Sequence, residues 1–159
     1  MLMENDLTYG TQDDADKYIS MFEESIVHPN MSLEDILNKT TWVQDNNIFV
    51  DYKLMRLFIT KNTYDVFFEN LRMNTIETLK TNKTVNMHIY LKSITISDLD
   101  KHKDFFFRIV RSFSEEFPNI LEHGYLYKAP GIFTQIYKII SIAIDKETKK
   151  KIHLIKGKK

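Results

Sequence analysis

Apolar residues recur at helical spacing from Asp13 or Asp14 onward (Ala15, Tyr18, Ile19, Phe22, Ile26) and predict one amphipathic helix that ends before Pro29. Ser32 to Asp35 opens a short helix carrying Leu33, Ile36 and Leu37, with the spacing of a capping box. Trp42 precedes a turn at Asp45-Asn46-Asn47, after which residues 48–52 and 54–60 read as strand, either one bent strand or two. Asn62 or Thr63 can cap a helix that places Tyr64, Phe67, Phe68, Leu71, Ile76 and Leu79 on one face. A strand follows over 85–91. Asp98 or Asp100 then starts a helix with Phe106, Ile109, Val110, Phe113 and Phe117 inward. Residues 1–12 read as a loose terminus.

The segment from Phe117 to Ile155 carries the clearest order. Phe117-Pro118 closes the preceding helix, because a residue before proline is driven out of the helical region. Gly124 to Tyr127 is a strand run, and Ala129-Pro130 leads into an apolar helix over 131–144 whose polar positions are Gln135, Lys138 and Ser141. That helix is too short to span a bilayer. A second strand follows over 151–155. Strand, crossover helix, strand is a βαβ unit and predicts parallel pairing.

In this segment the chain resembles the CRAL-TRIO family of lipid-transfer domains. Phe117-Pro118, Ala129-Pro130, Phe133, Asp145, Thr148 and Lys151-Ile152 fall in the family's order without a gap, and Leu91 to Ser97 resembles a family strand end upstream. Departures are Tyr90, Ser93, Asn119, Lys128 and Lys146, where the family pattern has Asp, Gly, an acidic residue, Asn and Pro. The resemblance covers roughly residues 85–155. It implies an α/β fold: a mostly parallel sheet with crossover helices, preceded by N-terminal helices. The expected organisation is one domain over 1–159, with a helical segment at 1–44 and a shortened CRAL-TRIO-like core at 45–159. In lipid-binding relatives the residues matching Thr148 and Lys151 contact an inositol phosphate. The resemblance therefore implies a headgroup site at Lys151 and Thr148, assisted by Lys149 and Lys150. The family's gate helix has no counterpart before Lys159, so a closed acyl cavity of the family's kind is not expected.

Composition narrows the classes. The 159 residues hold 22 basic and 22 acidic side chains, so net charge points to neither nucleic acid nor an acidic substrate. The distribution is uneven: residues 4–24 carry seven acids against Lys17, and residues 146–159 carry seven lysines against Glu147. There is no cysteine, which excludes a disulfide scaffold and fits a reducing compartment. The N-terminus lacks a signal-peptide pattern, and the expected location is cytoplasmic, at a peripheral membrane face. Scarce glycine and abundant Lys, Asn and Ile suggest an AT-rich genome, such as that of a large DNA virus or a protist. No glycine-rich phosphate loop or nucleophile elbow occurs, and the five histidines lie on separate elements without paired-ligand spacing. No catalytic residue, metal or cofactor is expected.

Strand alternation puts Met87, Ile89 and Leu91 on one face and His88, Tyr90 and Lys92 on the other; Tyr125 with Tyr127, and His153 with Ile155, share the aromatic side. Without a gate this face needs a cover: the N-terminal helices, a membrane or a second copy of the chain. A homodimer with Tyr90, Tyr125, Tyr127 and His153 at its interface is the expectation. Two functions follow from the sequence. One is a non-catalytic lipid or phosphoinositide module at an anionic membrane, where each lysine contributes roughly 1 kcal/mol. The other is a protein-interaction or scaffold module that keeps the fold without the cavity.

Overall fold

The computed structural model describes residues 12–131 and 133–155, with the side chains of 12–14, 133 and 140 set aside. Along the chain run α1 (Gln12–Glu24), α2 (Leu33–Thr40), β1 (Thr41–Gln44), β2 (Asn47–Asp51), α3 (Tyr52–Met55), α4 (Tyr64–Leu79), β3 (Val85–Tyr90), α5 (Ile96–Glu116), β4 (Leu121–Tyr127), α6 (Phe133–Ala143), α7 (Lys146–Lys149) and β5 (Ile152–Ile155). The five strands form one sheet in chain order, with β1 and β2 antiparallel and the other pairs parallel. An α/β architecture with a mostly parallel sheet is therefore the fold.

Local chemistry sets most boundaries. Ser32 caps α2 in a reciprocal box with Asp35. The N-cap of α5 is Thr95, and Asp98 closes the box from its N3 position, so the expected cap at Asp98 or Asp100 is displaced by three residues or more. Asp45, at φ 57°, makes the tight β1–β2 turn, a conformation Asp tolerates better than most residues. Two further expectations are corrected. Thr41 to Gln44 is an added edge strand, too short to show a period. The run from Leu54 to Thr60 is not strand: Asp51 accepts from the Leu54 amide and turns the chain into α3. Leu54, Met55 and Ile59 are buried as packing residues beyond the sheet's end.

Two cores flank the sheet. Ile48, Val50, Val85, Leu126, Ile152 and Leu154 pack with Phe67 and Leu71 of α4, Leu99 and Phe105 of α5, and Ile136 of α6. All three crossover connections thus lie on one face, and with strands in chain order they share one hand. The opposite face carries Phe49, Tyr90, Tyr127 and Ile155 beneath Ala15, Ile19 and Phe22 of α1. Here α1 supplies the cover. Tyr90 and Tyr127 are 0% and 2% exposed, so they are not available as an interface, and the reason for expecting a second copy on this face falls away. Tyr125 and His153 remain half-buried.

Candidate functional site

A cavity of about 420 Å3 lies between the sheet and helices α4, α5 and α6. Its walls are apolar: Val50, Met87, Ile89 and Leu126 from the sheet, Phe67 and Leu71 from α4, Phe106, Ile109, Val110 and Phe113 from α5, and Ile136 and Ile139 from α6. The sequence assigned the α5 residues to an inward face. Nothing in their spacing distinguishes a cavity wall from a filled core, because both require apolar side chains at helical period. The space is partly open to solvent, so it is a cleft under the crossover helices and not the closed acyl cavity of the family's kind.

The lining changes character at one end. Asn119, Asp145, Thr148 and Lys151 belong to the same cavity as the apolar walls. Asn119 adopts φ 62° in the turn before β4, and Asp145 caps α7 by accepting the Thr148 amide at 2.7 Å. Bonds from Thr148 hold the Asp145 carboxyl below its usual range, with Lys151 adding attraction. Residues that carry a carboxylate, a hydroxyl and an ammonium thus share this lining. Of the four residues assigned to a headgroup, Thr148 and Lys151 line the cavity, whereas Lys149 and Lys150 stand on the outer turn. Lys150 pairs there with Glu147 at 3.2 Å. Lys156, Lys158 and Lys159 lie outside the described residues. Ile142, 72% exposed at the end of α6, adjoins this basic turn in sequence.

The aromatic face has a different construction. Trp42, Phe49, His88, Tyr125 and His153 are register partners across all five strands. Neighbouring rings stack at centroid distances of 5.2, 4.6, 5.0 and 5.0 Å. His88 is 1% exposed, and burial pushes its imidazole down to about 4. The neutral ring bridges Asn47 Oδ1 through Nε2 at 2.8 Å and the Tyr127 hydroxyl through Nδ1 at 2.7 Å. An amide oxygen only accepts, so Nε2 carries the proton and the phenol donates to Nδ1. Glu23 anchors α1 onto this face by accepting from Tyr90 at 2.7 Å, Lys128 at 3.1 Å and Lys92 at 3.3 Å. Those contacts, the Tyr90 bond foremost, lower its carboxyl to about 2. Lys53 closes the other loose end by donating to the Phe22 and Ser25 carbonyls, each at 2.9 Å.

Comparison with known proteins bears on this geometry. Residues 63–159 match the family model described as the CRAL/TRIO domain. The fold is similar to the crystal structure of Sfh5, with a TM-score of 0.56 at 20% identity, covering 69% of this chain and 41% of that one. The chain therefore spans less than half the length of that protein. No curated protein matches it in sequence.

Proposed function

Because this chain belongs to the CRAL/TRIO domain family, a family of lipid-binding modules, we propose that it binds an anionic lipid without catalysis, the apolar part in the cavity and the headgroup at Thr148 and Lys151. One observation carries the reading: Thr148 and Lys151 line the same mostly apolar space of about 420 Å3. Ligand sites of this size are mostly apolar, with a few polar groups fixing orientation. A phosphate or carboxylate suits that end, since ammonium and hydroxyl donors satisfy anionic oxygens. Asp145 attracts the Lys151 ammonium through space, and an anion bound there would compete with that attraction.

The membrane is the natural source of such a ligand. Lys146 and Lys150 are exposed on the turn after Ile142, a combination that favours an anionic bilayer by charge and by a single inserted apolar group. No helix among the described residues is long and apolar enough to cross a membrane, so contact would be peripheral. A phosphoinositide is the headgroup we favour, because a multiply charged phosphate gains most from clustered lysines.

Pelleting with vesicles that contain or lack phosphoinositide tests this directly. Lys151→Ala is expected to weaken binding by about tenfold, the loss of one charge-assisted contact, and Lys150→Ala by much less. Val110→Trp, which adds a ring at the cavity wall, is expected to abolish extraction of a fluorescent lipid while leaving surface binding intact. Equal, small effects of both lysines would reduce the headgroup site to diffuse attraction. Extraction that survives Val110→Trp would remove the cavity from the reading.

A further inference from the structure

At the β4–β5 end of the aromatic row, His123 Nδ1 and His153 Nε2 face one another at 2.8 Å. The two rings come from neighbouring parallel strands, with His153 in register with Tyr125 and His123 two residues before it. Tyr125 stacks on His153 at 5.0 Å and leans on His123 at 5.8 Å, fixing both rings from one side. Both histidines are half-buried, and β5 ends the sheet order, so solvent reaches them while the strands hold them.

We propose that His123 and His153 form a two-histidine site for a divalent transition metal of the Cu2+ or Ni2+ class, joining β4 to the end strand β5. The argument is geometric. Metal–nitrogen bonds of roughly 2.0–2.1 Å meeting near a right angle place two imidazole nitrogens about 3 Å apart. The observed separation is already that short, so little backbone movement is needed. The rings turn so that their lone pairs converge on one point instead of on each other.

The protons balance without an outside acid or base. In the metal-free pair one ring donates its N–H to the other. When the metal arrives, the donor ring shifts that proton to its far nitrogen, and both facing nitrogens become ligands. Among the described residues no set of three or more His, Cys, Asp or Glu side chains converges on a metal position, so water would fill the other coordination sites. Imidazole ligation selects Cu2+ most strongly among the divalent ions, whereas Mg2+ prefers oxygen.

The other described histidines do not offer this arrangement. His88 and His102 are buried and bonded to tyrosine hydroxyls, and His28 is exposed on the loop before α2.

Titration of the full chain with Cu2+, followed by calorimetry and electron paramagnetic resonance, tests the site. One ion per chain is expected, with hyperfine splitting from two imidazole nitrogens. His123→Gln and His153→Gln should each weaken binding by about tenfold or more and leave one coupled nitrogen, because half the protein ligand set is gone. His28→Gln should change neither, and Mg2+ should not compete. Circular dichroism of the metal-free variants keeps a folding defect apart from a ligand loss. Binding that both Gln variants retain at full strength, or a spectrum with a single nitrogen in the unaltered chain, would overturn the assignment.

Discussion

Asp51 is fully buried at the end of β2, and one of its carboxylate oxygens has no hydrogen-bond partner. Burial raises its pKa from the ordinary 3.8 to about 6. Between those values the folded chain keeps a proton that the unfolded chain has lost, so stability falls as pH rises, and the full cost stands above pH 6. His88 acts oppositely. Its pKa is held at about 4 against an ordinary 6.5, so across that window the unfolded chain takes up a proton the fold refuses, and stability falls as pH drops. The two slopes oppose each other between about pH 4 and 6. Asp51→Asn keeps the cap on Leu54 and removes the buried charge. It should raise stability at pH 7.5 by up to about 3 kcal/mol, following the size of the shift, and expose a slope that climbs with pH from 4 to 6.5. Urea titrations at several pH values measure this; an unchanged pH profile would mean the carboxyl is already solvated. At this scale the sequence was partly legible. Ser32 reads as a cap because its box partner is three residues away. Asp51 reads as ordinary strand because its burial depends on elements far along the chain.

Helix α1 is the element on which the aromatic face depends. Phe22 is 0% exposed and stacks on Tyr90 at 5.0 Å. Phe22→Ala should cost about 3–4 kcal/mol through lost burial and the void left behind, visible as a lower melting temperature. Glu23 contributes less, being exposed and screened by solvent. Its pKa of about 2 against an ordinary 4.5 means its stabilisation is complete above pH 4.5 and is lost as pH falls toward 2. Glu23→Gln should therefore flatten that acid limb and leave the slope above pH 5 unchanged. The helix itself was plain in the spacing of Ala15, Ile19 and Phe22. Its docking site was half visible: Tyr and His alternation marked the face, but only the fold brings Phe49 and Trp42 to it. The strand read into Leu54 to Thr60 failed because burial alone does not separate a strand from a short helix and turns.

For the whole molecule, one sheet separates two kinds of interior: a spacious aliphatic side under the crossover helices and a dense aromatic side under α1. Gly124 lines the spacious side, where an added Cβ would meet Ile152 Cδ1 at 2.9 Å. Gly124→Ala should shift that flexible side chain into the cavity, at little cost in melting temperature and with reduced lipid uptake. Normal uptake in this variant would mean ligand does not pass that point. Parallel topology was legible from alternating periods; the order of strands was not, because crossovers that each carry a helix are long enough to skip a neighbour. The cavity was not, since empty volume leaves no mark on a list of apolar residues. The stacked row also has an optical consequence. Trp42 is the only tryptophan in the chain, with Phe49 on one side at 5.2 Å and Phe22 of α1 at 5.3 Å. Its indole is only half-buried once α1 is in place, so release of the helix should shift its emission to the red. The protein thus carries its own fluorescent gauge of whether the aromatic face is covered, readable during lipid or metal titration without any label.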